Sequence, residues 1–532
     1  MDIRGRYALY VILLAGLLFF PFLGARDFWA PVEPRYAEIA RVMFNRGEWI
    51  VPTINGRLYT DKPILYFWLV LIVSQLAGSV NEWTVRLPAA FGAVGTVLTT
   101  YLIGRDFFSR RIGFIAAVIL ATSVRVIWEG RWAHLDMLFT SFFGLAMYFA
   151  ARAILNKENR NEIFAAYALT ALATLTKGLI GVVLPALILM SFILVRRDWR
   201  LVLEARLASG ILIFLIIAAP WFTAVNHATG GQWLKDFVFI HHIQRYTAGT
   251  GHREPFYYYL TTLPLDFLPW TLFAVPALFA YRLRRNYFQE PITLFFSLWF
   301  MAIFLFFTMS NTKRELYLLP LFPPMTLLVA NYIDDLVLGD LPQGRLYRGL
   351  SLLAFNLLWI GSLAAPAAAW FVRPDAVFPI IPFALTMACG GMAVVYFVWR
   401  RAPWKVFLAT SLAMVLGVLA AGVSLLPFLD RFKSPRPFSL EVKRLVPSTA
   451  PLYIYADTMN DFNFYMEREV IAVVSRRTDL KQLLAQNQIG YLLIRERDLE
   501  RAALMAKERI VISEGDGGRS WLLIALGGRG GS

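Results

Sequence analysis

Fourteen apolar runs of roughly twenty residues fill most of the chain, near 7–24, 63–78, 86–104, 112–127, 137–153, 162–177, 179–195, 207–224, 262–281, 292–309, 316–333, 350–371, 376–399 and 405–428. At 1.5 Å per residue, a helix of about twenty residues matches a hydrocarbon core about 30 Å thick. Only helices and closed barrels satisfy their backbone groups in lipid, and runs this long and continuous select helices. The expected fold class is therefore all-α polytopic membrane protein. With 58% hydrophobic and 17% charged residues, the 532-residue chain does not fit a soluble globular class. A net charge of +16 would suit nucleic acid. Here, however, Arg and Lys gather in short loops between apolar runs, as the positive-inside rule expects, and no nucleic-acid partner is expected. The single cysteine, Cys389, lies in an apolar run, which leaves no intrachain disulfide. The first run follows Arg4 and Arg6 but has Leu23 where a cleavage site needs a small residue, so a retained first span is expected.

Charge sorts the runs into spans. If Pro63–Gly78 crossed the bilayer, Arg105, Arg110 and Arg111 would fall outside and every later loop would invert. If it lies in the interface, thirteen transmembrane helices remain. Arg4/Arg6, Arg105/Arg110/Arg111, Arg196/Arg197/Arg200, Arg282/Arg284/Arg285 and Arg400/Arg401/Lys405 then all lie inside. The outer face receives residues 25–85, 128–136, 224–261, 309–315 and everything after about 429. Residues 1–429 are thus expected to form a transmembrane domain and residues 430–532 a soluble outer domain. The tail alternates the short β-type runs PLYIYA, EVIAVV, GYLLIRE and SWLLIAL with the helical TDLKQLLAQN and LERAALMAKE, which predicts a small C-terminal α/β domain.

Ionisable residues are costly at a bilayer and are functional candidates by default. Several fall at outer span ends: Asp61 and Lys62 in TDKPILYFW, Arg131, His134 and Asp136 in WEGRWAHLDMLFT, Lys177 in LTKGLIG, and Lys313, Arg314, Glu315 and Tyr317 in SNTKRELYLLP. The loop FIHHIQRYTAGTGHREPFYYYL adds His241, His242, Arg245, His252 and Arg253. Taken singly, the cations can be headgroup anchors and the histidines structural. Their convergence on one leaflet, with carboxylates among them, is not needed for anchoring. Basic groups suit a phosphate, while carboxylates and imidazoles can move protons or hold a divalent ion. A proton-coupled transporter would place acids mid-span, where this chain has almost none. The pattern fits an enzyme handling a lipid phosphate at the outer face.

The motifs VEPRYAEIARVM, GEWIVPTINGRLYTDKPILYFW, VRLPAA, HLDMLFT, LTKGLIGVVLP, HHIQRYT and KRELYLLP, in this order, resemble the bacterial undecaprenyl-phosphate aminoarabinose (lipid A) transferases. That family stands with the protein O-mannosyltransferases in the GT-C class of membrane glycosyltransferases, and the likeness covers roughly residues 25–330. The resemblance implies a GT-C fold of about thirteen transmembrane helices with interfacial helices in the first outer loop. It also implies an undecaprenyl-phosphate sugar donor, such as 4-amino-4-deoxy-L-arabinose or a related sugar, and transfer at the periplasmic face of the bacterial inner membrane. Carried over residue by residue, it implies Lys62, Arg35, Arg245 and Tyr317 at the donor phosphate and Asp136 as a catalytic acid. Asp61 with His241 or His242 would then stand near a divalent metal, Zn or Mg. The family carries an acid immediately before the Glu of its first motif, where this chain has Val32. Either Glu33 supplies the catalytic carboxylate there or this protein needs fewer acids, with Ile39, Val42 and Met43 of the same helix resting on the bilayer edge.

No glycine-rich nucleotide loop accompanies these motifs, so no nucleotide cofactor is expected. The reading is a monomeric glycosyltransferase working among membrane lipids, with lipid A or another outer-leaflet molecule as acceptor. A protein or polysaccharide acceptor keeps the same fold, and a lipid flippase without chemistry is the alternative of another class.

Overall fold

The structure is a computed structural model that describes residues 6–155, 160–244, 246, 253–282, 290–340, 345–456, 460–485, 490–499, 510–514 and 521–526. It is mostly helical. Among the described residues, eight helices are long and apolar enough to cross a membrane, including Glu82–Phe107, Asp136–Leu155, Leu207–Ala228 and Pro291–Met309. Two further pairs would each make one bent span: Arg110–Ala121 with Val124–Gly130, bent by 67°, and Tyr258–Asp266 with Thr271–Arg282, bent by 113°. The protein is therefore an integral membrane protein. The apolar helices Tyr7–Phe19 and Leu65–Ala77 have 13 residues each, about 20 Å, so loop charge rather than length is what sets a span apart from an interfacial helix here.

The chain divides into two compact units. One comprises Met1–Leu23, Thr60–Leu69 and Arg86–Phe428; the other comprises Gly24–Tyr59, Val70–Val85 and Leu429–Ser532. In the first unit, helices approach closely where glycine removes the side chain. A Cβ on Gly92 would run into the backbone of Leu138, so Glu82–Phe107 lies directly against the Asp136–Leu155 helix. Gly104 and Gly113 face each other in the same way, drawing Arg110–Ala121 onto Glu82–Phe107.

In the second unit, most of the first outer loop packs with the tail. The Val32–Arg46 helix opens on Glu33 in its first turn and ends at Gly47, whose φ of 63° closes it in the left-handed region. Ile39, Val42 and Met43 do not lie on a bilayer edge: they are 0%, 3% and 1% exposed within the protein, because their helix packs on Thr53–Ile54 and on Asn463–Met466. The tail carries a five-stranded sheet in the order Ala472–Val474, Leu452–Tyr455, Gly490–Arg495, Trp521–Leu526, Ile510–Glu514. The first three strands run parallel, and the last two are antiparallel to their neighbours. Alternation assigns Leu493 to the face covered by Phe438 and Val442, and Leu492 and Ile494 to the face covered by Leu480. With both faces covered, the central strand reads as a continuous apolar run. Of the four β-type runs expected, all are strands; Ile510–Glu514 is a fifth, and most of the expected helix at 499–508 lies outside the described residues.

Candidate active site

The first unit builds its polar centre from helix ends. Asp136 opens the Asp136–Leu155 helix and Lys177 closes Glu162–Lys177, the next helix in the chain, which packs beside it. Two consecutive helices joined by a short connection run antiparallel, so the start of one and the end of the next share one end of the pair. An acid at a helix N-terminus and a cation at a C-terminus also complement the two helix dipoles. Lys177 donates from Nζ to Asp136 Oδ1, and His134 Nδ1 meets Asp136 Oδ2. Behind His134 stands Glu129, with Oε2 3.9 Å from the same imidazole nitrogen. Arg125 closes the group, 3.3 Å from Glu129 and 2.7 Å from Asp266. Asp136 is 1% exposed and Glu129, His134 and Lys177 are no more than 8% exposed. So much buried charge is sustained only by mutual pairing.

Lys177 faces two ways. Its ammonium stands 4.9 Å from the Phe139 ring and 5.1 Å from the Tyr317 ring, close enough for cation–π attraction. It also lines a cavity of about 460 Å³ together with Lys62, His241, Tyr246, Thr312 and Tyr317. The remaining wall is apolar, with Leu179, Ile180, Val183, Phe306 and Phe307. A head of cations and hydroxyls beside an apolar trough is the shape of a site for an anionic lipid headgroup and its chain.

Lys62 reaches the cavity from the TDKP stretch. Its Nζ lies 3.4 Å from Asp61 Oδ1, which in turn lies 3.3 Å from His241 Nδ1. The other imidazole nitrogen meets Thr60 Oγ1 at 3.1 Å. Asp61 and His241 thus come together as the resemblance implies, but both imidazole nitrogens already have protein partners. Among the described residues, no group of three His, Cys, Asp or Glu side chains is placed to hold a metal ion. The side chain of His242 and the whole of Arg245 lie outside the described residues. The described donor set does not fit a closed metal site.

Other expected cations are occupied elsewhere. Arg131 donates to the carbonyls of Leu18 and Pro21 at 2.6 Å each, and Lys313 to those of Ser310 and Glu254 at 2.6 and 3.2 Å. These contacts tie segments together. In the second unit, Glu33 is fully buried: Arg26 grips its carboxylate through two bonds of 2.5 and 2.9 Å, and the Trp29 backbone N–H adds a third at 3.0 Å. Arg35 is half-buried in the same helix. Glu38, a turn further on, accepts two bonds of 2.8 Å from Arg41, yet burial pushes its pKa up to about 7.

Glu129 and Asp266, which share Arg125, were not among the residues singled out from sequence. The signal was there for Glu129: it is an acid between apolar residues in VIWEG, in the stretch that holds Arg131, His134 and Asp136.

The membrane helices make this an integral membrane protein, and its likeness to known proteins makes it a membrane glycosyltransferase. Residues 61–223 match the family model described as dolichyl-phosphate-mannose-protein mannosyltransferase. A protein of Pectobacterium carotovorum named undecaprenyl phosphate-alpha-4-amino-4-deoxy-L-arabinose arabinosyl transferase is 33% identical over 427 residues, covering 78% of this chain and 73% of its own. One of the same name from Shewanella sediminis is 29% identical, covering 87% and 84%. The chain belongs to this arabinosyl transferase family. In fold it is similar to ArnT from Cupriavidus metallidurans, solved bound to undecaprenyl phosphate (TM-score 0.77, 22% identity, 99% and 100% of the two chains covered) and in the apo state (TM-score 0.80).

Proposed function

We propose that the protein moves an aminoarabinose-type sugar from undecaprenyl phosphate to lipid A at the periplasmic face of the bacterial inner membrane. The observation that carries this reading is the cavity in which Lys62, Lys177 and Tyr317 head an apolar trough. The phosphate of the donor sits between the two ammonium groups, and its polyprenyl chain runs along Leu179, Val183 and Phe306. Motif likeness alone nominates Arg35 and Arg245 as further donors to the phosphate. Tyr7–Phe19, Glu162–Lys177 and Ile180–Arg196 cross with the longer helices and the bent pairs, which makes thirteen spans. The enzyme acts as a monomer.

Transfer breaks the bond between the anomeric carbon and the bridging phosphate oxygen, and the electron pair leaves with that oxygen. Negative charge therefore grows on the polyprenyl phosphate in the transition state. Lys62 and Lys177, fixed before reaction, stabilise it. The new bond forms from an acceptor oxygen. A phosphate oxygen of lipid A is already anionic and needs no base, so Asp136 acts there by holding Lys177 in place. No step above depends on a divalent ion.

A hydroxyl acceptor is the second reading, favoured by the Glu129–His134 pair behind Asp136. In that case Asp136 takes the hydroxyl proton and His134 is next in line. The experiment is transfer by the purified protein from radiolabelled undecaprenyl-phosphate sugar to lipid A. A product whose sugar is released by mild acid, as an anomeric phosphodiester is, supports the first reading, and a glycoside stable to mild acid the second. Label that stays on the carrier with either acceptor removes both.

A further inference from the structure

We propose a second anion site, for the phosphodiester headgroup of an anionic phospholipid, at the end of the Asp136–Leu155 helix remote from Asp136. A cavity of about 470 Å³ there is lined by Arg105, Arg110, Arg152 and Asp106. Arg152 lies sixteen residues beyond Asp136 on one helix, or about 24 Å along its axis. The two cavities therefore serve opposite leaflets.

Charge decides what this cavity takes. Arg105 holds Asp106 through bonds of 2.5 and 2.9 Å, and Arg152 pairs with Glu162 at 2.7 Å. Tyr148 donates its hydroxyl to Asp106 at 2.6 Å, which fixes that carboxylate in place. Three guanidinium groups against two carboxylates leave one positive charge. It belongs to Arg110, which is exposed and has no ion pair among the described residues. The neighbouring Arg111 is already paired with Asp334.

Arg110 also stands where a cation is disfavoured. It is the first residue of the twelve-residue Arg110–Ala121 helix, capped by Ser109, and that helix has no acid in its first turn. The N-terminal end of a helix carries partial positive charge and attracts anions. Two arginines there repel the dipole unless an anion lies between them, and only Arg111 has a carboxylate. A single negative charge at the mouth of the cavity offsets both terms. Planar guanidinium groups suit phosphate oxygens, and a basic pocket between membrane helices suits a lipid headgroup more than a free ion. The headgroup chemistry is a phosphodiester of one negative charge, such as that of phosphatidylglycerol.

The test uses the full-length protein in nanodiscs of phosphatidylethanolamine with a minor fraction of phosphatidylglycerol, followed by native mass spectrometry of retained lipid. The expected result is one phosphatidylglycerol retained when phosphatidylethanolamine has been stripped. Arg110→Glu should lower that retention about tenfold, and Arg110→Ala by less, since charge reversal adds repulsion to the lost attraction. Arg196→Glu, which removes a basic charge elsewhere, should retain the lipid as the unaltered protein does. Equal retention of both lipids would overturn the site, as would an Arg196→Glu loss equal to that of Arg110→Glu. Release of the lipid by millimolar inorganic phosphate would overturn the lipid and leave a free-phosphate site.

Discussion

Two buried carboxylates in this molecule are each gripped by a cation, in surroundings that differ. Glu33 is 0% exposed and receives three hydrogen bonds, two from Arg26 and one from the Trp29 backbone. Asp136 is as deeply buried, but its partner Lys177 lines the lysine-headed cavity alongside Lys62 and Tyr317. The partner cations differ: Lys177 also lines that cavity, while Arg26 binds Glu33 and the Asp27 carbonyl. Glu33, expected to supply the acid missing at Val32, sits in the first turn of the Val32–Arg46 helix with these partners.

The comparison breaks most sharply at Asp136. Asp136→Asn keeps the shape but releases Lys177 from its charge partner, and turnover should fall roughly 100- to 1000-fold, the scale of losing one preorganised electrostatic contact. The protein should still purify folded; turnover within a few-fold of normal would move Asp136 to the structural class. Glu33→Ala should do the reverse. Leaving Arg26 buried without its carboxylate costs about 3–5 kcal/mol, so folded protein should fall while turnover per folded molecule changes little. Turnover lost by a fully folded Glu33→Ala protein would show that Glu33 works in catalysis after all.

A smaller effect sharpens the assignment of the cavity. Lys62→Ala removes one of two ammonium groups from its head, and donor affinity should weaken about tenfold with kcat less affected. Titration of a fluorescent polyprenyl phosphate measures this directly. Unchanged affinity would return Lys62 to its contact with Asp61 alone.

Much of this was legible in the chain because membrane helices announce themselves by length and loop charge. Asp136 and Lys177 were legible as outer span ends but not as a pair, while the meeting of Asp61 with His241 followed from motif likeness. What could not be read was how each cation is spent. Arg131 and Lys177 look alike as basic residues at span ends, yet one is absorbed by the Leu18 and Pro21 carbonyls and the other by Asp136. Carbonyl partners leave no trace in side-chain identity. The packing of Ile39, Val42 and Met43 was misjudged for a related reason: an apolar helix face shows that it will be covered, not whether lipid or the Asn463–Met466 helix covers it.

The smallest effect concerns Glu38, which extends the comparison to a pair that burial nearly unmakes. Desolvation raises its pKa to about 7, and Glu469 adds to the rise, while the Arg41 hydrogen bonds and charge oppose it. Because the folded pKa lies above the ordinary value of 4.5, the folded state binds the proton more tightly than the unfolded chain. The stability this contributes is complete below about pH 4.5 and lost as pH rises through about 7. Glu38→Gln has no such proton to lose. The unaltered protein should therefore lose stability relative to Glu38→Gln as pH rises from 5 to 8, measured as unfolding temperature in detergent. Turnover at fixed pH should not change. A gain relative to Glu38→Gln as pH rises would mean that the Arg41 ion pair outweighs desolvation, and Glu38 would then join Glu33 as a charged anchor of its helix.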